Sequence, residues 1–189
     1  MTKTNRNAWI TIAAATPLLL LAAAPASAEE RVCRGTIRAT TVDNLRVPDN
    51  ASCVLLGTRV KGTVKVEYGA SLRAEDVVVI GNVQAENAKS VQVLDGSRIG
   101  GSVQVKQGGS ANVNDSRIEG DIQYDSNSAK LRALRNIVGG SVQAFQNVGG
   151  LEIRRNRIDG NLQCKANSPG PTGGNNVVGG NKEDQCARL

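Results

Sequence analysis

The sequence predicts an all-β fold, a right-handed parallel β-helix (solenoid) of about seven to eight coils with a disulfide at each end. Three observations predict it: a glycine-centred repeat of 19–20 residues, an alternation of apolar and polar residues within each repeat, and four cysteines in two pairs near the ends of the repeat region. A repeat this short cannot bury an apolar face alone, so neighbouring copies must stack on a shared core.

Residues 1–28 have the layout of a secretory signal peptide. The cations Lys3 and Arg6 precede an apolar run from Ile10 to Ala24, and the small residues 26–28 form a cleavage signal. The apolar run is shorter than the roughly 20 residues that a spanning helix needs. We therefore expect a secreted, extracytoplasmic chain with no membrane span after cleavage, and we exclude residues 1–28 from the fold.

The composition excludes several function classes. The 189 residues include no histidine, which excludes Ser-His and Cys-His nucleophile pairs and histidine-ligated zinc. The net charge of +6 falls to +4 when Lys3 and Arg6 are removed, and such a charge with few aromatic residues is not a nucleic-acid-binding signature. We expect no cofactor, no metal and no nucleic-acid partner.

The repeat unit is [V/I]-x-G-x-[V/I/L]-[Q/K], and its glycine recurs every 19 or 20 residues at Gly62, Gly81, Gly101, Gly120, Gly140, Gly160 and Gly180. The residues two before, two after and four after each glycine are mostly apolar, and a second alternating run follows about ten residues later. Such alternation predicts strands with one buried face. A coil of 19 or 20 residues is not a multiple of the six-residue stride of left-handed solenoids, which favours a right-handed helix.

The repeat frame also predicts the organisation of the chain. We assign 29–56 to an N-terminal cap and first coil, 57–166 to regular coils, and 167–189 to a Pro/Gly/Asn loop and C-terminal cap. In this assignment the segment 167–176, NSPGPTGGNN, replaces the second strand of its coil with a loop.

The V-x-G-x-V coil resembles the repeat of bactofilins over about residues 45–165. This resemblance implies a right-handed β-helix that assembles into polymers. The C-terminal sequence GNLQCKANSPGPTGGNNVVGGNKEDQC resembles the tails of secreted bacterial β-helix proteins of uncharacterised function. That second resemblance implies an exported bacterial protein.

The four cysteines allow three disulfide pairings. Cys53 falls at the inward position of Leu72, and Cys164 falls at the inward position of Ala144. Cys33 and Cys186 each lie about one coil away from these residues, so we predict the disulfides Cys33–Cys53 and Cys164–Cys186. They would close the two ends, where a solenoid exposes its core and its unpaired strand edges. The alternative, a redox or metal site, lacks a CxxC motif.

Stacking turns equivalent positions into rows on the outer surface. The predicted contact face combines the residues three and one after the glycine: Gln84, Gln104, Gln123, Gln143 and Gln163, with Asn82, Ser102, Asp121, Ser141 and Asn161. These rows are either hydrogen-bonded ladders that stabilise the stack or a flat surface for a repeating polymer such as a polysaccharide. A further row four before the glycine predicts a turn ladder in left-handed backbone: Ser97, Ser116, Asn136, Asn156 and Asn176.

These observations favour a non-catalytic structural or surface-interaction module of the bacterial envelope, expected to be a monomer that contacts cell-envelope or extracellular polysaccharide. The alternative is a bactofilin-like, self-assembling scaffold that binds other copies of itself. A less favoured third hypothesis is a polysaccharide lyase or hydrolase, with Asp115 beside Arg135, or Glu119 with Asp121, as candidate acids. The fold alone does not indicate catalysis, and the nearly constant coil length leaves no long groove-forming loops, so we predict no catalytic residues.

Overall fold

The computed structural model describes residues 29–189, and the predicted signal peptide lies outside the described residues. The described chain forms three parallel sheets, A, B and C. Sheet A has nine strands: β1 (Glu30–Val32), β4 (Asn44–Val47), β7 (Val64–Val66), β10 (Val83–Glu86), β13 (Val103–Lys106), β16 (Ile122–Asp125), β19 (Val142–Phe145), β22 (Leu162–Lys165) and β25 (Lys182–Asp184).

Sheets B and C have eight strands each. Sheet B contains β2 (Thr36–Ile37), β5 (Ser52–Leu56), β8 (Ser71–Glu75), β11 (Ser90–Leu94), β14 (Ser110–Asn114), β17 (Leu131–Leu134), β20 (Leu151–Arg154) and β23 (Thr172–Gly174). Sheet C contains β3 (Thr41–Val42), β6 (Arg59–Val60), β9 (Val78–Val79), β12 (Arg98–Ile99), β15 (Arg117–Ile118), β18 (Ile137–Val138), β21 (Arg157–Ile158) and β24 (Val177–Val178).

Successive coils pair in the frame of the repeat. Val83 lies between Val64 and Val103 in sheet A, and Cys53 lies opposite Leu72 in sheet B. The stack has about seven turns. The predicted all-β parallel solenoid with 19–20 residues per coil is therefore confirmed, and its right-handed sense stays a prediction.

The predicted apolar rows form one continuous core. The residues two before and two and four after each glycine are buried from Gly62 to Gly160; at Gly180, Val178 is partly buried and Lys182 and Asp184 are exposed. Each buried Val, Leu or Ile side chain stabilises the fold by roughly 1.5–3 kcal/mol relative to exposure. Tyr124 is the largest fully buried side chain, and its hydroxyl donates to the carbonyl of Arg132 at 2.7 Å.

The repeat requires glycine because a side chain of the preceding coil occupies the space above it. A Cβ added at Gly160 would lie 2.6 Å from Ser141 Oγ and 2.7 Å from the carbonyl oxygen of Gly140. The Ser141 hydroxyl holds this position because it accepts a hydrogen bond from the backbone N–H of Asn161 at 2.9 Å. The glycine row and the polar row beside it are thus parts of one packing arrangement.

The left-handed backbone at the corner between sheets B and C lies one residue earlier than predicted. Asp115, Arg135 and Arg155 have φ of 50°, 55° and 55°, whereas no positive φ occurs in the predicted row. The prediction of left-handed backbone is wrong for Ser97, Ser116, Asn136, Asn156 and Asn176, whose side chains are buried, whereas the predicted ladder is present from Ser116 to Asn176. Their own φ angles stay negative, and the preceding residue makes the bend.

Both predicted disulfides are present, with Cα–Cα distances of 5.6 Å for Cys33–Cys53 and 5.2 Å for Cys164–Cys186. At the C-terminal end, Cys186 is fully buried, and Leu189 packs against the core. The described residues include no helix long and apolar enough to cross a membrane.

The prediction that 167–176 lacks a strand is wrong at Thr172–Gly174. This segment forms β23, whose residues pair with Glu152–Arg154 of β20. The Thr172 hydroxyl donates to the carbonyl of Leu151 at 3.1 Å, and Arg155 N–H donates to the carbonyl of Gly174 at 3.0 Å. Glycine fits at Gly173 because an added Cβ would collide with the backbone of Ile153, and Gly174 adopts a φ of 133°, which favours glycine.

Candidate contact face

Sheet A presents the predicted glutamines as one row on its outer surface. Register pairs Gln84 with Gln104, Gln104 with Gln123, Gln123 with Gln143, and Gln143 with Gln163. We call these five residues the glutamine face. Lys65 and Glu183 continue the same row at its two ends.

Amide hydrogen bonds orient most of the glutamine face. Gln84 Nε2 donates to Gln104 Oε1 at 3.2 Å, and Gln104 Nε2 donates to Gln123 Oε1 at 2.9 Å. The ladder is interrupted at Gln123, whose Nε2 donates to Asp121 Oδ2 at 3.3 Å, and it resumes from Gln143 to Gln163 at 3.0 Å. The amides are therefore held in register while they stay accessible from outside.

The side chains of the second predicted row hydrogen-bond one coil to the next. Asn82 Oδ1 accepts from the backbone N–H of Ser102 at 2.8 Å, and Asp121 Oδ1 accepts from the N–H of Ser141 at 2.7 Å. The same bond recurs along the row, in which each side-chain oxygen caps the equivalent residue one coil later: Asn82, Ser102, Asp121, Ser141 and Asn161. These side chains are half-buried, and their oxygens are already hydrogen-bonded, so the glutamines carry most of the capacity for contact.

A row of alternating charge borders the glutamine face. Its members lie two residues beyond the glutamines and pair in register as Glu86, Lys106, Asp125, Phe145 and Lys165. Among the described residues, none of these four charged side chains lies within 4.0 Å of an opposite charge. We call these five residues the border row, and its charges sum to zero.

A groove of about 550 Å³ opens at the N-terminal end of the glutamine face. Tyr68 lines one side and is 65% exposed, and Gln84, Gln104 and Lys106 are among the residues that line the rest. The repeat frame did not predict this site because the corner is one residue longer here. Left-handed Asn50 and Gly69 come three residues after Val47 and Val66, whereas the next coil turns at Asn87, two residues after Ala85.

The candidate acids are held by arginines or by the backbone. Both oxygens of Asp115 accept from Arg135, at 2.6 and 2.5 Å, and these hydrogen bonds lower the pKa of the Asp115 carboxyl. A hydrogen bond from Arg117 likewise lowers the pKa of Glu119. A general acid in a glycosidase needs a raised carboxyl pKa, so both shifts run against that role.

No family model, curated protein or solved structure matches the chain.

Proposed function

We propose that this protein is a secreted, non-catalytic β-solenoid of the bacterial envelope that contacts a polysaccharide through its glutamine face. The single observation that carries the proposal is the row of five outward glutamines in register on one sheet. Successive amides repeat at the coil spacing of about 4.8 Å. Each amide donates and accepts hydrogen bonds, which suits the hydroxyl groups of a repeating sugar polymer.

The disulfides support a location outside the cytoplasm. All four cysteines are paired, and such bonds persist in oxidising compartments rather than in the reducing cytosol. The signal-peptide layout of residues 1–28 agrees with export.

Charges at core positions of the terminal strands favour a monomer over the self-assembling scaffold. Arg31 stands opposite buried Leu45, and Lys182 stands opposite buried Leu162. Inward charges on an edge strand oppose pairing with another chain, because that pairing would bury them. Sedimentation velocity over a concentration series is expected to show one monomeric species, and growing polymers would favour the scaffold instead.

The arginine-bound carboxylates favour a binding role over hydrolysis. If Asp115 or Glu119 were catalytic, incubation with a bound polysaccharide would release reducing ends, and Asp115→Asn or Glu119→Gln would abolish that release. We expect no release from the unmodified protein.

The proposed function is tested by binding of the exported, disulfide-bonded protein to a panel of immobilised neutral and charged polysaccharides. The double variant Gln104→Ala/Gln123→Ala is expected to bind at least about tenfold more weakly, since it removes two amides at the centre of the face. Gln92→Ala is the matched control, because Gln92 lies on the outer side of sheet B and accepts from Arg73 there. The proposal fails if no polymer binds, or if the double variant binds as well as the control. Thermal unfolding of each variant verifies that the fold is intact.

A further inference from the structure

The accessible aromatic side chains lie along one border of the glutamine face. The described residues contain three aromatics, Tyr68, Tyr124 and Phe145. Tyr124 is fully buried, whereas Tyr68 is 65% exposed and Phe145 is half-buried at an outward position of β19. Phe145 belongs to the border row, and Tyr68 directly follows Glu67, which precedes that row by one coil.

The two aromatic side chains are separated along the axis of the solenoid. Tyr68 belongs to the coil of Gly62 and Phe145 to the coil of Gly140, four coils later. At about 4.8 Å per coil, they are roughly 19 Å apart along the axis. The coils between them contribute Gln84, Gln104 and Gln123 to the surface.

The border row discriminates against charged polymers. Along the axis its charges alternate as Glu86, Lys106 and Asp125, with Lys165 beyond Phe145. Between Tyr68 and Phe145 the row carries two carboxylates and one lysine, so a chain of either charge sign would meet repulsion as well as attraction there. An electroneutral chain is not repelled by these charges, and its hydroxyl groups can still hydrogen-bond to the amides and to the charged side chains.

We propose that an electroneutral polysaccharide lies lengthwise along the glutamine face, with one sugar ring against Tyr68 and another against Phe145. This proposal rests on the proposed function and adds the class of polymer, its direction and its two anchoring residues. The aromatic rings supply apolar platforms at the two ends of the span, and the amides bind hydroxyls between them. The groove beside Tyr68 holds the first ring.

Binding of neutral oligosaccharides of increasing length is the test. The probes are β-1,4-linked glucose and N-acetylglucosamine oligomers, titrated into the exported, disulfide-bonded protein by calorimetry. For at least one of the two series, affinity is expected to rise with length until the oligomer spans both aromatics, and then to level off. Tyr68→Ala and Phe145→Ala are each expected to weaken binding of the longest oligomer by about 3- to 10-fold.

Two controls separate stacking from folding. Phe145→Leu keeps an apolar side chain at the half-buried position, so it is expected to fold normally and still lose the gain in affinity with length. Ile137→Ala removes an apolar side chain that is 44% exposed on sheet C, away from the face, and is expected to leave binding unchanged.

Three results would overturn the inference. Affinity that does not depend on length would exclude a lengthwise chain. Unchanged affinity in both Tyr68→Ala and Phe145→Ala would exclude the two anchors. Preferential binding of a polyanion, lost in Gln104→Ala/Gln123→Ala and weakened by salt, would exclude the neutral chain while leaving the proposed function in place.

Discussion

The two halves of the solenoid close their corners in different ways. In the N-terminal half the buried corner residues are small or apolar, and in the C-terminal half they are asparagine. The N-terminal set comprises Ala51, Thr58, Ala70, Val77, Ala88 and Ser97, and the C-terminal set comprises Asn127, Asn136, Asn147, Asn156, Asn167 and Asn176.

The backbone N–H groups of these corner residues have different hydrogen-bond partners in the two halves. In the N-terminal half the N–H of Ala51 donates to the carbonyl of Pro48, and the N–H of Ala70 donates to that of Glu67, so these two residues bond within their own coil. Side-chain bonds between coils are fewer there: the Thr58 hydroxyl donates to the carbonyl of Ile37, and the N–H of Val77 donates to Ser97 Oγ. In the C-terminal half the N–H of Asn127 donates to Asn147 Oδ1 at 2.9 Å, which joins neighbouring coils.

The side-chain Nδ2 of each buried asparagine also donates a hydrogen bond to a backbone carbonyl. Asn147 Nδ2 donates to the carbonyl of Tyr124 at 3.0 Å and to Asn167 Oδ1 at 2.8 Å. The same bonds recur in the ladder of Asn136, Asn156 and Asn176. Neighbouring coils in the C-terminal half are therefore coupled by buried side-chain bonds, in addition to the strand pairing that both halves share.

The largest effect is expected from removal of a disulfide. Cys33→Ala/Cys53→Ala and Cys164→Ala/Cys186→Ala each open a loop of 20 or 22 residues, and each is expected to cost about 3 kcal/mol in chemical unfolding. Amide hydrogen exchange should separate the two variants. Loss of protection should spread further from the N-terminal end, because fewer side-chain hydrogen bonds join its corners from coil to coil. Equal spreading from both ends would remove the distinction between the halves.

The corner asparagines provide the next largest effect. Asn147→Ala leaves the N–H of Asn127 and the carbonyl of Tyr124 without these side-chain partners in the interior, and is expected to cost about 2–3 kcal/mol in urea unfolding. Asn112→Ala is the matched control, because Asn112 lies on the outer side of sheet B and its Oδ1 has no partner. Because this Oδ1 is buried without a partner, the substitution breaks no hydrogen bond of that oxygen, and we expect it to lower stability by less than about 0.5 kcal/mol. Equal losses in the two variants would contradict the role of the buried ladder.

The glycine row belongs to both halves, so it should respond equally in each. A Cβ at Gly81 would lie 2.7 Å from the carbonyl oxygen of Gly62, and a Cβ at Gly160 would meet Gly140 at the same distance. Gly81→Ala and Gly160→Ala are each expected to lower the free energy of unfolding by about 2 kcal/mol. Gly170→Ala is the control, since no atom lies within 4 Å of its added Cβ. A large effect in only one half would show that the coil geometry itself differs.

The smallest effect concerns the ion pair at the junction of the halves. Asp115 has a lowered pKa in the folded state because of Arg135, so it stabilises the fold above its unfolded pKa, and this contribution is lost as pH falls through the folded pKa. The side chains are 41% and 47% exposed, so Asp115→Asn is expected to cost less than about 1 kcal/mol at neutral pH. Thermal unfolding at neutral and strongly acidic pH checks this, because the difference from the unmodified protein should vanish in acid. A difference that persists in acid would assign the effect to packing.

The repeat frame predicted the features that recur in every coil. Period-two alternation and constant spacing place Val83, Gln104 and Cys164 at the positions that the structure gives them. The frame failed where the N-terminal coils depart from the later ones. The corner before Gly69, like the one before Asn50, has an extra residue, and the groove lies beside Tyr68 there; this departure at the N-terminal end does not alter the spacing of the glycines.

The buried ladder of Asn127, Asn147 and Asn167 was missed for a different reason. Its spacing of 20 residues, seven after the glycine, was visible in the sequence. Asparagine is mostly exposed in proteins, however, and the carbonyls that make its burial possible lie 22 or 23 residues away along the chain. Burial of such a residue follows from the coil geometry rather than from its own polarity.

The most direct test of the central claim is a map of backbone amide NMR shifts during titration with a neutral oligosaccharide long enough to span both aromatics. We predict that the shifts cluster on sheet A from Gln84 to Gln143 and extend to Tyr68 and Phe145, while sheets B and C stay unchanged. Shifts centred on sheet B or C, or no shifts at all with the neutral oligomers, would contradict the assignment of the glutamine face as the contact surface for a neutral polysaccharide.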